Sequence, residues 1–400
     1  MPVTESHHKQ AKLDAKPAPT LAGKLKRWYV VLAVSFFNAF LLLVLINLAL
    51  YGVLHFRHQS SSDPAVNFTQ HFPVDKLQAA YPGWKEEDVR ALLEETPRED
   101  HEFEYEPWTG FRERPFHGRF VNIDAAGFRL SKDQTPWPPR AGQTNIFVFG
   151  GSTGFGWYLP DDQTIPSYLQ ECASQQHAAV YNFARPEYFS SQELALFQQL
   201  LRSGNVPQVA IFIDGLNDFI LSDGEPKFTT DLRQFMDGKV ESNPLANLPM
   251  IRAAQWLQYK LGKAPATESA NRAPNYGDPA ILNAVVDRWL ANKKMIESLA
   301  AAYGVRAIFV WQPVPLYKYD LRYHFFLHND KAFGGFVRVE YGYPLMANLQ
   351  SEGKLGKDVL WLADMQENKR ENLYVDSVHY TAAFSKEIAG RICQFMGVAR

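Results

Sequence analysis

Four short stretches far apart in the chain carry residues suited to chemistry: Gly150-Gly151-Ser152-Thr153, Asn182 to Ser190, Gly215-Leu216-Asn217-Asp218 and Asp376-Ser377-Val378-His379. Each follows a run that reads as a β-strand. A serine, an asparagine and an Asp-x-x-His pair at successive strand ends are the parts of an acyl-transfer site. A serine hydroxyl is a poor nucleophile until a neighbouring base takes its proton, and His379 is the candidate base for Ser152. Asp376, three residues earlier on the same turn, is placed to accept the other imidazole N–H, which sets the tautomer and stabilises the imidazolium. The Ser152 backbone N–H and the Asn217 side-chain amide are the candidate oxyanion donors. Ser190 and Ser191 are the alternative nucleophiles.

Each piece has a plainer reading when taken alone. Gly-Gly-Ser-Thr is also a simple strand-to-helix turn with Ser152 or Thr153 as N-cap, and a phosphate-cradling loop would need the P-loop lysine that is missing here. Asn217-Asp218 after a strand is also an Asx-turn. Asp376 with His379 is also a helix-start cap beside a surface histidine. All of these must hold together to remove the site, and the shared strand-end placement argues against that.

The elements that position the four stretches alternate from Asn145 onward. Strands are expected at 145–150, 179–184, 209–214, 305–313 and 359–364, and helices near 165–175, 191–203, 280–303 and 382–396. Near-continuous apolar strands alternating with amphipathic helices argue for a parallel sheet covered on both faces. Right-handed crossovers make this a doubly wound parallel α/β/α sandwich, flavodoxin-like, whose ligands bind at the carboxyl ends of the strands. Ser152, Glu187, Asn217, Gln312 and the Asp376/His379 pair all fall there.

With these blocks in place, the chain resembles the SGNH (GDSL-like) hydrolase superfamily over roughly residues 145–397: FGGSTGFG as the nucleophile block, DGLND as the asparagine block and DSVH as the acid–base block. It is most similar to membrane-anchored bacterial members, including relatives of the O-acetyltransferases that decorate exopolysaccharides. The resemblance implies catalytic Ser152, Asp376 and His379, an oxyanion hole from Ser152, Asn217 and position 187, and no cofactor. Two positions depart from the family pattern. Gly151 stands where many relatives have Asp, and Glu187 aligns with the oxyanion glycine. A carboxylate about 6 Å from a developing oxyanion would oppose it by roughly 3 kcal/mol at an effective dielectric near 20. The Glu187 side chain is therefore expected to turn away, toward Arg185 or solvent, leaving its backbone N–H to the substrate oxygen.

Composition bounds the rest. With 41 Lys and Arg against 43 Asp and Glu, interleaved along the chain, there is no electrostatic footprint for nucleic acid. Two cysteines without Cys-x-x-Cys spacing exclude a cysteine-rich zinc site and a disulfide scaffold. Cys172 and Cys393 fall in the first and last helices of the domain, which can share a face of such a sheet, so an oxidising compartment would permit a bridge. The histidines at 7, 8, 55, 58, 101, 117, 324 and 328 show no metal-ligand spacing with nearby carboxylates and read as surface or interface residues.

Residues 28–56 carry no formal charge and are long enough at helical rise to cross a hydrocarbon core of about 30 Å. The run exceeds the usual length of a cleaved signal, and no small-x-small site closes it. Lys9, Lys12, Lys16, Lys24, Lys26 and Arg27 precede the span, whereas Arg57 stands alone after it. The positive-inside rule then places residues 1–27 in the cytoplasm as a tail and everything after the anchor in the periplasm or outside the cell. Asn38 and Asn47 point in similar directions on such a helix and are candidates to meet a partner helix. Residues 57–104 read as a spacer with one helical piece, 85–95, and residues 105–400 as the catalytic domain, with an insertion at about 222–278.

The insertion and an irregular segment at 313–356 flank the strand ends and concentrate aromatics: Trp256, Tyr259, Trp311, Tyr317, Tyr319, Tyr323, Phe325, Phe326, Tyr341 and Tyr343. These either form a wall for carbohydrate or lipid or pack long loops onto the core. Three function classes follow. They are an extracytoplasmic carbohydrate O-acyl (acetyl) esterase or acyltransferase working on an acylated glycan or small ester, a lipid or thioester hydrolase of the same chemistry, and a non-catalytic glycan-binding component of an envelope assembly with partner proteins.

Overall fold

The central strands look uniformly apolar in sequence, yet their alternate residues face two different layers. The computed structural model describes residues 20–61, 78–96, 103–140, 142–174, 177–237, 248–251, 253–254, 275–326 and 336–398. The chain divides into two units, residues 1–60 with 242–267, and residues 61–241 with 268–400.

In the first unit, α1 (Leu21–Ser61) is one long helix, and within Leu21–Val53 an 18-residue window has a mean hydropathy of 2.6 with none of its residues buried within the protein. It is long and apolar enough to cross a membrane. Asn47 donates its amide to the Leu43 carbonyl at 2.8 Å and accepts the Met250 backbone N–H at 3.2 Å. A group from the same chain thus meets the polar side chain for which the sequence suggested a partner helix.

The second unit begins with α2 (Glu86–Glu95) and two short antiparallel pairs, β1 (Phe103–Glu106) with β2 (Gly110–Glu113) and β3 (Phe116–His117) with β4 (Asn122–Ile123). The α/β layer follows as β5 (Thr144–Gly150), α3 (Ser152–Phe155), α4 (Ile165–Ala173), β6 (Ala178–Asn182), α5 (Ser190–Arg202), β7 (Val209–Asp214), α6 (Leu216–Ile220), α7 (Thr229–Met236), α8 (Pro279–Tyr303), β8 (Arg306–Trp311), α9 (Arg338–Ser351), β9 (Val359–Trp361) and α10 (Ala382–Met396). The five strands β5 to β9 form one parallel sheet in the order β6-β5-β7-β8-β9. That is the doubly wound order expected from sequence, with helices on both faces.

Strand alternation sorts the two faces by chemistry. Phe147, Phe149, Phe212, Phe309 and Trp311 point to one side, where they meet Phe197 of α5 and Val285 and Trp289 of α8. Ile146, Val148, Ile211, Ile213, Ile308 and Val310 point to the other, against Leu169 of α4 and Ile388 and Ile392 of α10. The aromatic face stacks in register: Phe149 lies on Phe212 with centroids 4.8 Å apart, and Phe212 on Phe309 at 5.4 Å. On the aliphatic face Cys172 and Cys393 form a disulfide with Cα atoms 6.6 Å apart, tying α4 to α10. The bridge anticipated from the helix order is present.

Three assignments differ from the sequence reading. Residues 78–96, assigned to the spacer, fold onto the second unit, because Val89, Leu92 and Leu93 make one apolar stripe on α2 and join Tyr81, Val121, Leu159 and Val375 in a buried cluster. The irregular segment contains α9, which runs through Pro344. Gly342 obscures that helix in sequence and permits it in space, since a Cβ there would lie 2.1 Å from the Phe219 ring. His324 is fully buried and stacks on Tyr374 at 5.1 Å, so it is no surface residue. Most of the insertion, with Trp256 and Tyr259, lies outside the described residues.

Candidate active site

β5 delivers Ser152 to the first position of α3, with Gly151 as its N-cap. Ser152 Oγ lies 2.7 Å from His379 Nε2, and His379 Nδ1 lies 2.6 Å from Asp376 Oδ2. Ser152 and His379 stand 227 positions apart in the chain, and the sheet brings the three residues into one hydrogen-bonded line. Their turn is itself fastened. The Val375 N–H donates to the His379 carbonyl at 2.8 Å, and Asp376 Oδ1 accepts the backbone N–H groups of Val378 at 2.9 Å and His379 at 2.8 Å. One carboxylate oxygen therefore holds the turn while the other holds the imidazole. Burial alone would raise the Asp376 pKa, but the His379 imidazole and these hydrogen bonds outweigh it and hold the carboxyl below its ordinary value. Asp376 stays ionised, as an acceptor for the Nδ1 proton must.

Behind the serine, Thr153 Oγ1 donates to Gln312 Oε1 at 2.6 Å, and Tyr380 donates to the same oxygen at 3.1 Å. Gln312 thus ties the nucleophile helix to the segment that carries His379. Asn217 lies on α6 beyond β7 and donates one N–H of its amide to the Tyr188 carbonyl at 2.7 Å. Its second N–H is the group an oxyanion would use. Ser190 is buried and donates to Asp218 Oδ1 at 2.6 Å while accepting from Asn292 at 2.9 Å, so it is committed to structure.

Beneath Asn217, three buried carboxyls converge from α5, β7 and α6: Glu193, Asp214 and Asp218. Burial first, then the neighbouring Asp218, pushes Asp214 up to about 8. Burial, with Asp214 and Asp218 adding to it, raises Glu193 well above the carboxylate range. Glu193 and Asp214 lie close enough to perturb each other, and neither Glu193 oxygen has a hydrogen-bond donor. Carboxyls crowded into a dry site keep a proton at neutral pH.

Glu187 has a left-handed backbone, φ 63°, a conformation that favours glycine. The glycine that the resemblance implies at this position would take this backbone without strain, whereas glutamate holds it here. Its carboxylate turns away as expected, but toward a different partner. Glu187 Oε1 lies 3.3 Å from Lys227 Nζ, whereas Arg185 is buried and donates to Glu106, to Tyr188 Oη at 2.9 Å and to the Gly127 carbonyl at 3.3 Å. Arg185 serves the β1–β2 hairpin, which sequence could not place beside it.

Sequence reasoning missed the groups that surround His379. Trp157 stacks on the imidazole with ring centroids 6.0 Å apart and planes 25° apart, and Tyr158 meets it edge-on at 6.1 Å. Tyr81 donates to the Tyr158 carbonyl at 2.8 Å. The buried Arg129 clamps their loop, donating to the carbonyls of Phe155 at 3.1 Å, Gly156 at 2.7 Å and Leu159 at 2.5 Å and to Asp161 at 2.9 Å. The available signal was the Trp-Tyr pair that follows FGGSTGFG directly. Of the aromatics proposed as a wall, Trp311, Tyr319, Phe326 and Tyr343 are buried core, and Tyr341 is exposed. Among the described residues, no three His, Cys, Asp or Glu side chains group to hold a metal.

No family model matches the chain, and no curated protein matches it. Among solved structures it is similar to a carbohydrate acetylesterase family member from Sinorhizobium meliloti, at 11% identity and a TM-score of 0.36, covering 64% of this chain and 100% of that one. It is also similar to a GDSL-like lipase from Bacteroides thetaiotaomicron, at 12% identity and a TM-score of 0.33 over 65% of this chain and 90% of that one. An acetyl xylan esterase is similar at 11% identity and a TM-score of 0.34, over 62% of this chain and 98% of that one.

Proposed function

We propose that this chain is an SGNH-type serine hydrolase of ester bonds, an O-acyl esterase or acyltransferase that works outside the cytoplasm on acylated glycans or small esters. The observation that carries the reading is the line from Ser152 through His379 to Asp376, with contacts of 2.7 and 2.6 Å. Ser152 Oγ attacks the ester carbonyl carbon while its proton passes to His379 Nε2, and Asp376 steadies the imidazolium. The negative oxygen is met by the Ser152 backbone N–H and the free N–H of Asn217. Collapse breaks the bond to the alkoxy group, which takes the proton from His379 and leaves an acyl-Ser152 ester. Water or a sugar hydroxyl then gives a proton to His379 and attacks that ester, regenerating Ser152. Which of the two arrives decides between hydrolysis and transfer.

The apolar helix, with basic residues ahead of its uncharged stretch from Trp28, and the Cys172–Cys393 bridge both support a domain held at a membrane on its oxidising side. The test is turnover of an activated acetyl ester by the full-length protein in detergent, with and without acceptor glycans. Acetate release or acetylated glycan that disappears in Ser152→Ala is the expected result. Equal activity in Ser152→Ala, or none in the wild type, would overturn the reading.

A further inference from the structure

Gly151 has an ordinary extended backbone, φ −84° and ψ −156°, so its conformation does not call for glycine. Space does. A Cβ built on Gly151 would lie 2.3 Å from Asn217 Nδ2, 3.2 Å from Asn217 Cγ and 3.2 Å from the Tyr188 carbonyl oxygen. Non-bonded heavy atoms rest about 3.5 to 4.0 Å apart, so the first contact is impossible as it stands. Nor is the amide free to retreat at no cost. Its Nδ2 is tied to that same Tyr188 carbonyl at 2.7 Å, and Leu216 and Asp218 on either side of Asn217 are buried. The Asn217 amide therefore fills the volume that a side chain at 151 would take, one residue before the nucleophile.

We infer that Gly151 is a positioning residue for the oxyanion hole: its missing side chain lets the Asn217 amide stand against the Ser152 turn, and any β-carbon there displaces the donor. The inference rests on the proposed role of Asn217. It also gives a physical reason why an aspartate, found at this position in many SGNH proteins, is not interchangeable with glycine here. An Asp Cβ meets the same atom at the same distance before its carboxylate is considered.

A double-mutant cycle on the full-length protein tests this with an activated acetyl ester. Gly151→Ala should lower kcat by about 10²- to 10³-fold, as loss of one oxyanion donor does, with KM changed by no more than about twofold. Gly151→Asp should do at least as much. Gly151→Ala combined with Asn217→Ala should be no slower than Asn217→Ala alone, because the glycine acts only through the amide. Independent losses that multiply, or Gly151→Ala within about threefold of wild type, would overturn the inference. Melting temperatures give a second reading in case Gly151→Ala folds poorly. Asn217→Ala removes the atom in the way and should restore the melting temperature of Gly151→Ala, and failure to restore it counts against the inference. If the wild type shows no Ser152-dependent turnover, the functional reading fails on its own, and the melting cycle still decides whether the two residues share this space.

Discussion

The indole of Trp157 lies against the imidazole of His379, planes 25° apart and centroids 6.0 Å apart, on a loop that Arg129 holds by three carbonyls. An aromatic face beside an imidazolium attracts it by about 0.5 to 2 kcal/mol, and in the proposed mechanism His379 takes the serine proton and carries that charge. Trp157→Leu should therefore lower kcat by about two- to thirtyfold, at about 1.4 kcal/mol per factor of ten, while Trp157→Phe keeps most of the activity. Steady-state kinetics on an activated ester check this. A change confined to KM, and only with glycan substrates, would make Trp157 a sugar platform instead.

The buried carboxyls under Asn217 make stability depend on pH. Asp214 is pushed up to about 8 by burial and by Asp218, with Glu193 beside it, the Trp289 N–H donating to it at 2.9 Å and Arg288 packed beside Asp218. In the unfolded chain its pKa returns to about 3.9. The folded value is the raised one, so the contribution is fully present below about 4 and is lost as pH rises through about 8. Melting temperature should fall across that window, and less steeply in Asp214→Asn, which has no proton to lose. Calorimetry from pH 5 to 9 provides the comparison, and parallel curves for the two proteins would refute it.

How much of this was legible in sequence depends on the range of the interaction. The sheet was readable because β5, β7 and β8 are apolar on both faces, and Ser152, Asn217 and His379 could be placed because strand ends position them whatever the loops do. What was not readable came from long-range packing. Tyr81 reaches Tyr158 across 77 residues, Arg185 finds Glu106 across 79, and the stripe on α2 shows its purpose only beside Val121 and Val375. Glu187 was half legible. Alignment with a glycine flagged the position, but the cause, a left-handed backbone, belongs to the folded chain. The sequence marks Gly151 only as a departure from the family pattern, because nothing in it brings Asn217 into the space of the missing Cβ.

The Cys172–Cys393 bridge and the charge asymmetry around Leu21–Val53 make a joint prediction about topology. In intact bacteria expressing the full chain, both cysteines should resist a maleimide after denaturing lysis until a reductant is added. A phosphatase reporter fused after residue 57 should be active, and a reporter that works only in the cytoplasm should be silent there. Freely alkylated cysteines with the opposite reporter pattern would place the domain inside the cell.

Glu187 separates a residue's backbone duty from its side chain. Holding a non-glycine residue at φ 63° costs about 1 to 2 kcal/mol, and its half-buried pair with Lys227 returns at most about 1 kcal/mol. Glu187→Gly relieves the backbone but adds freedom to the unfolded chain, at about 0.5 to 1 kcal/mol, so the melting temperature should barely move. Glu187→Ala keeps the strain and loses the pair, and should be the least stable of the set. With the carboxylate turned to Lys227 and away from the reacting oxygen, Glu187→Gln should keep kcat within about threefold of wild type, far from the 10²-fold loss of an oxyanion donor. Kinetics and melting curves on the three variants decide it. A well-folded Glu187→Gln protein without activity would make the carboxylate a working acid or base, and the Lys227 pair would then be the resting state of a catalytic group.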